Sequence, residues 1–156
     1  MNNFQCKLWV SLIFLMFISI GLKAQTSAAG MHGPWLKSQL IEPQELAAII
    51  SSPGSKEYTV FNIGAVEDIK GAKHIGPVST TQHLEDFKQA LQRLPKTAPI
   101  VIYCGCCPFT KCPNVGPAFI TAQKLGFTNV KILDLPVNLK TNWTAKGYPL
   151  AEAPSN

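Results

Sequence analysis

The most constraining feature of this chain is a junction between a short apolar run and a cluster of sulfurs. Residues 100–103, Ile-Val-Ile-Tyr, form the apolar run, and Cys104, Cys106, Cys107 and Cys112 follow within nine residues. A helical pattern begins directly after the last of these cysteines. This order predicts the strand-to-helix turn of an α/β unit, where backbone N–H groups and a helix start lower a thiol's pKa.

The rest of the chain alternates between short β-rich runs and amphipathic helical patterns. Strands are predicted at residues 58–63, 100–103 and 130–133, and residues 64–77 are predicted to be a loop. Helices are predicted to begin at residue 42, to span 82–94, to run from about 113 to 125, and to span 138–146. Alternation of this kind predicts an α/β, three-layer fold with a mostly parallel central sheet and helices on both faces.

The amino terminus has the composition of a secretory signal peptide. Lys7 precedes an apolar stretch at residues 8–22, and Lys23 and Ala24 follow it. The stretch is shorter than the roughly 20 residues of a spanning helix, so we expect cleavage, no stable membrane insertion and a periplasmic or secreted protein. The predicted organisation is a signal peptide at 1–24, a linker at 25–35, one domain at 36–150 and a flexible tail at 151–156.

The charge of the chain indicates neither nucleic-acid binding nor attachment to a membrane surface. Without residues 1–24, 12 basic residues remain beside 9 acidic ones, and they do not cluster. We therefore expect no nucleic-acid partner, and we predict a monomer.

The order of four motifs resembles that of the rhodanese-like domain over residues 36–150. Residues 69–76 resemble the family's His-Ile-Pro-Gly-Ala segment, and residues 100–104 resemble the strand that leads to its active-site cysteine. Residues 125–130 resemble the turn into the next strand, and residues 143–149 resemble the closing Trp-x-x-x-Gly-Tyr-Pro. The loop sequence Cys-Gly-Cys-Cys-Pro-x-x-x-Cys-Pro-Asn resembles an exported bacterial subgroup of the family.

The resemblance implies a sulfurtransferase in which Cys104 carries sulfane sulfur as a persulfide. Its partners would be a small sulfur-containing anion and a thiol or persulfide acceptor, and no cofactor is implied. An accessible thiolate is required, and successive loop amides suit a persulfide anion. The predicted substrate-binding cradle consists of Gly105, Cys106, Cys107, Phe109, Thr110 and Lys111.

Three features depart from the family pattern. The loop is about five residues longer than the family's and holds three extra cysteines and two prolines. The usual Asp-x-Arg after the early strand is replaced by Asn62-Ile-Gly64, and the usual arginine of the loop is missing. Arg93, in the helix before the sulfur-bearing strand, is the chain's single arginine, and Lys111 is the single cation of the loop. Lysine cannot make the planar two-pronged contact of guanidinium, so thiosulfate is not favoured as the natural donor.

Three other interpretations of the sulfurs remain open. In an oxidising compartment, Cys106 or Cys107 could pair with Cys112 and leave a non-catalytic, disulfide-stapled module. Cys104 and Cys107 form a Cys-x-x-Cys sequence that would suit thiol–disulfide exchange, with Cys106 or Cys107 as resolving thiol. Four thiolates also suit zinc or Cu(I), but one nine-residue loop offers poor tetrahedral reach, so no metal is predicted.

Overall fold

A computed structural model describes residues 34–52 and 58–152. The predicted signal peptide lies outside these ranges, as do most of the predicted linker and the end of the tail. No helix within the described ranges is both long and apolar enough to cross a membrane. Trp35, at the end of the predicted linker, packs edge-on against Phe119 with ring centroids 5.2 Å apart.

Five parallel strands form one sheet in the order β1-β5-β4-β2-β3. The strands are β1 (Leu40–Ile41), β2 (Thr59–Asn62), β3 (Lys73–His74), β4 (Ile100–Tyr103) and β5 (Val130–Leu133). The three predicted strands and the parallel sheet are confirmed. The sequence did not indicate β1 and β3, because each has only two residues, too few to show a periodic pattern.

Helices cover both faces of the sheet, as predicted. They are α1 (Pro43–Ser51), α2 (Thr81–Gln92), α3 (Val115–Lys124) and α4 (Leu139–Asn142). Because side chains of a strand alternate between faces, Ile100 and Ile102 of β4 pack with α2 and α3, whereas Val101 and Tyr103 pack with α1 and α4. Cys104 continues the alternation and joins the α2–α3 side of the core.

The prediction of one continuous helix over residues 138–146 is wrong. The α-helix ends at Asn142, and a separate 3₁₀ turn spans Thr144–Lys146. Trp143 lies between them with φ −125° and ψ −66°, outside helical geometry. This break buries the indole completely and lets its Nε1–H donate to the Pro149 carbonyl at 3.1 Å.

Candidate active site

Cys104 lies directly after β4, the central strand, at the carboxyl edge of the sheet. Ligands of open parallel sheets bind at this edge, so the predicted placement is confirmed. The expectation that its sulfur is openly accessible is wrong, because only 2% of the residue's surface is exposed. The residue faces the apolar interior beneath α2 and α3, and Cys106 next to it is the exposed cysteine.

Three sulfurs surround one position in this loop. The Sγ atoms of Cys104 and Cys106 are 3.2 Å apart. Those of Cys104, Cys106 and Cys112 all lie within 4.8 Å of one another. Cys107 Sγ is 3.5 Å from Cys106 Sγ, so the sulfur seated against Cys104 is that of Cys106. Of the two resolving thiols that the thiol–disulfide interpretation left open, Cys106 is therefore the one in contact with Cys104.

Hydrogen bonds to Cys104 stabilise its thiolate. They lower the pKa of Cys104 from 9.0 to about 5, with the Cys112 thiol as the largest cause and the burial of the site opposing it. Asn114, the Cys106 thiol and the Cys106 backbone N–H add to the lowering. Cys104 is therefore ionised at neutral pH, which nucleophilic sulfur chemistry requires.

The neighbouring thiols respond in the opposite direction. Burial, together with hydrogen bonds to Cys104 and Cys107, raises the pKa of Cys106 to about 12. The hydrogen bond that Cys112 donates to Cys104 is the main cause that raises the pKa of Cys112 well above its ordinary value. One negative charge is thus concentrated on Cys104, and the other two sulfurs keep their protons as hydrogen-bond donors.

Asn114 is a site residue that sequence analysis missed. Its side-chain Nδ2 donates to Cys104 Sγ at 3.3 Å, and it is 5% exposed. An asparagine at the start of a helix usually suggests an N-cap. Here the side chain makes no capping bond and donates to the sulfur instead.

Gly64 is the second residue that the sequence did not single out as part of the site. A Cβ atom at this position would lie 2.8 Å from Cys104 Sγ and 2.3 Å from the Cys104 carbonyl oxygen. The family's usual arginine at the equivalent place would therefore not fit behind this sulfur without rearrangement. Its replacement by glycine lets the backbone after β2 approach Cys104 closely.

Hydrogen bonds of the Asn62 side chain fix the segment that contains Gly64. Its side-chain oxygen accepts from the Gly64 backbone N–H at 3.0 Å, and its Nδ2 donates to Val66 O at 2.8 Å and to Asp68 Oδ1 at 2.9 Å. Asn62 is fully buried. Where the family has an acidic residue, this chain therefore uses an amide that serves as donor and acceptor at once.

The predicted cradle residues do not all face Cys104. The Phe109 backbone N–H donates to Leu135 O at 3.2 Å, and the Lys111 backbone N–H donates to Pro108 O at 2.9 Å. Phe109 is buried in the core, and Lys111 is exposed. The Cys106 backbone N–H is the loop amide for which a bond to Cys104 is found.

Gly105 forms the turn that follows Cys104. Gly105 has φ +76°, and a Cβ there would lie 2.9 Å from Leu139 Cβ, so the turn requires glycine. Cys107 and Thr110 are half-buried. A role for Gly105, Cys107 and Thr110 in binding an anion stays a prediction.

The structure records all four described cysteines as free thiols. In residues 34–52 and 58–152, no pair of sulfurs forms a disulfide, and the Sγ atoms of Cys104 and Cys106 are 3.2 Å apart. The predicted staple from Cys106 or Cys107 to Cys112 is thus not shown. It stays a prediction for the oxidised protein.

An open cleft of about 530 Å³ lies beside Cys106. Its walls are formed by the segment after β2, the cysteine loop and the start of α4, and they include Ala65, Val66, Glu67, Gly105, Cys106, Asn138, Leu139, Lys140 and Thr144. The exposed side chains of Glu67 and Lys140 give it one charge of each sign. Cys106 lines the cleft, and its Sγ lies 3.2 Å from that of the buried Cys104.

The sequence matches no protein-family model and no curated protein. Solved structures do resemble it. The single-domain sulfurtransferase RDL2 from Saccharomyces cerevisiae superposes with a TM-score of 0.50 at 18% identity, over 70% of this chain and 90% of that chain. The described chain therefore has the rhodanese-like fold that its motifs predicted.

Two further neighbours are much longer proteins. An anaerobic ergothioneine biosynthesis enzyme from Chlorobium limicola, in complex with trimethyl histidine, gives a TM-score of 0.52 at 18% identity, over 74% of this chain and 28% of that one. EanB, solved as a cysteine persulfide with ergothioneine, gives 0.51 at 18% identity, over 72% of this chain and 28% of that one. This chain thus corresponds to just over a quarter of those enzymes, and identities this low support the fold alone.

Proposed function

We propose that the protein is a rhodanese-like sulfurtransferase that carries sulfane sulfur as a persulfide on Cys104. The single observation that carries the proposal is the stabilised thiolate at the carboxyl end of the central strand. Cys104 has the position in the fold of the rhodanese nucleophile, and its pKa is lowered to about 5. The structural neighbours named as a sulfurtransferase and as a cysteine persulfide are consistent with this chemistry.

The proposed reaction has two steps. The Cys104 thiolate attacks the outer sulfur of an organic persulfide, R–S–SH, which gives Cys104–S–SH and releases the thiolate RS⁻. An acceptor thiolate then attacks the outer sulfur of this persulfide, takes it as its own persulfide and restores the Cys104 thiolate. Each step exchanges one S–S bond for another, so no external oxidant or reductant is needed.

An organic persulfide or polysulfide suits this site better than thiosulfate. Thiosulfate carries a sulfonate group that guanidinium recognises by two parallel hydrogen bonds. Arg93, the single arginine of the chain, is at the carboxyl end of α2, and Lys111 is a point charge. A persulfide donor makes no comparable demand for a planar cationic partner.

Access to Cys104 is proposed to run through the cleft beside Cys106. The cleft reaches Cys106, whose sulfur covers Cys104 at 3.2 Å. A donor that enters the cleft would have to displace the exposed Cys106 side chain and break its sulfur contacts with Cys104 and Cys107. We further propose that the protein acts as an exported monomer, outside the cytoplasm.

Intact-protein mass spectrometry tests the proposal directly. After incubation of the reduced protein with an organic persulfide, we expect a gain of about 32 Da that maps to Cys104 and is removed by a thiol acceptor. Cys104→Ser should lose this gain, and the wild-type chain unfolded in urea should accept sulfur more slowly at pH 6, where its thiol is protonated. A folded wild-type protein that gains no sulfur at Cys104 would refute the function.

A further inference from the structure

The three sulfurs at the end of β4 are arranged as a set of metal ligands. The Sγ atoms of Cys104, Cys106 and Cys112 all lie within 4.8 Å of one another. A zinc–sulfur bond is about 2.3 Å long. Three thiolate sulfurs at that distance from an ion, and in one plane with it, would lie about 4 Å from one another. Small rotations of these side chains would therefore suffice to enclose an ion.

The folding of the loop accounts for this convergence. Gly105, with φ +76°, turns the chain so that Cys106 faces back to Cys104. Phe109 is buried and tied to Leu135 O, and the 3₁₀ turn that it begins ends with the Cys112 N–H donating to Phe109 O at 3.3 Å. These backbone contacts place Cys112 close to Cys104, the residue at which the loop begins.

The chemistry of this ligand set selects a soft ion. Within the described ranges, the cluster contains sulfur ligands only, with no carboxylate or imidazole among its members. Thiolates favour Cu(I) and zinc among biological ions. Structural zinc is bound by four ligands in a tetrahedron, whereas Cu(I) is satisfied by three thiolates in a plane. Three-coordinate binding does not require the tetrahedral reach of four ligands that a single nine-residue loop lacks.

We propose that Cys104, Cys106 and Cys112 form a three-coordinate thiolate site for one Cu(I) ion. Two donors already directed at Cys104 Sγ, the Asn114 side-chain amide and the Cys106 backbone N–H, stabilise the negative charge that three thiolates leave on a monovalent ion. The protons of the bound thiols pass to solvent. Because Cys104 cannot hold copper and a sulfane sulfur together, the copper-bound and persulfide forms are alternative states.

Cu(I) titration of the reduced protein under anaerobic conditions tests the site. Copper is supplied as its acetonitrile complex in competition with the chelator bathocuproine disulfonate. We expect one ion retained per chain and an X-ray absorption spectrum with three sulfur neighbours. The readout contains no sulfur-transfer step, so loss of sulfur transfer and loss of copper binding are scored separately.

Serine variants identify the ligands. Cys106→Ser should weaken Cu(I) binding by more than about tenfold. Removal of a residue that only hydrogen-bonds to a metal ligand already costs about tenfold in metal affinity, and removal of a ligand should cost more. Cys106 is exposed, so this variant tests the site without disturbing the core, and Cys104→Ser and Cys112→Ser should weaken binding at least as much. Cys107→Ser is the matched control and should leave the Cu(I) affinity unchanged.

Three outcomes would overturn the copper site. One is equal loss of affinity in Cys107→Ser and Cys106→Ser, and another is a spectrum with four sulfur neighbours. The third is retention of zinc in preference to Cu(I) when both are offered to the reduced protein.

Discussion

Asn114 is hydrogen-bonded at both ends of its side-chain amide, and Cys104 is at one of those ends. Its oxygen accepts from the Ser79 backbone N–H at 2.8 Å, and its nitrogen donates to Cys104 Sγ at 3.3 Å. A backbone N–H can only donate, so the contact with Ser79 fixes which end of the amide faces the sulfur. The thiolate is therefore stabilised by a donor that is oriented from a different segment of the chain.

Replacement of this donor by an acceptor should raise the pKa of Cys104. In Asn114→Asp, one carboxylate oxygen still accepts from Ser79, but the other faces the thiolate and repels it. We expect the ultraviolet absorbance of the thiolate to appear at a higher pH than in the wild type. Asn129→Asp makes the same change just before β5, at the end of the sheet where the strands begin. It should not shift the pKa of Cys104. An equal shift in both variants would mean that Asn114 acts through overall charge.

Gly64 should tolerate no side chain behind the sulfur. The Cβ of Gly64→Ala would lie 2.3 Å from the Cys104 carbonyl oxygen, and such overpacking costs about 1–3 kcal/mol in free energy of unfolding. Gly116 in α3 has no heavy atom within 4 Å of an added Cβ. Gly116→Ala, at the second residue of α3, should therefore leave the free energy of unfolding nearly unchanged and is the matched control. Urea unfolding measures both changes, and an unchanged midpoint in Gly64→Ala would contradict the close approach.

The sequence predicted the central strand and the position of Cys104 because both depend on local signals. Residues 100–103 are continuously apolar, and a buried parallel strand requires that pattern. The partners of the sulfur are set by tertiary structure instead. Asn114 contacts Cys104 through the path of the loop between them, and Gly64 approaches from the segment after β2, 40 positions earlier in the chain. Neither contact produces a periodic pattern in the sequence, so neither could be predicted from it.

The thiolate should make the stability of the fold depend on pH. Cys104 has a pKa of about 5 in the folded chain against an ordinary value of 9.0. Between these values the unfolded state binds more protons, so the free energy of unfolding rises with pH in this window. The contribution is complete above pH 9 and is lost as the pH falls through 5.

Urea unfolding under reducing conditions, from about pH 5 to about pH 8, isolates this contribution. The wild type should gain stability over Cys104→Ser as the pH rises. The comparison with the variant cancels the contributions of the ionisable groups that both proteins share. A constant difference across the window would show that Cys104 is not ionised in the folded state.

The lifetime of a persulfide on Cys104 should be limited by Cys106. The Cys106 thiolate can attack the inner sulfur, Cys104–S–SH + Cys106–S⁻, to give the Cys104–Cys106 disulfide and HS⁻. The two Sγ atoms are already 3.2 Å apart, but the pKa of Cys106 is raised to about 12. We therefore expect the persulfide to persist at neutral pH and to decay faster as the pH rises.

Released sulfide and the loss of mass from the persulfide form measure this decay. Cys106→Ser should hold its persulfide with little dependence on pH, because serine cannot close the disulfide. Cys107→Ser is the comparison variant, because its sulfur contacts Cys106 and helps to raise the pKa of Cys106. Its persulfide should still decay faster as the pH rises, since Cys106 can still close the disulfide. If Cys106→Ser loses its persulfide as fast as the wild type at alkaline pH, hydrolysis or another thiol governs the lifetime, and the contact between the two sulfurs has no role in it.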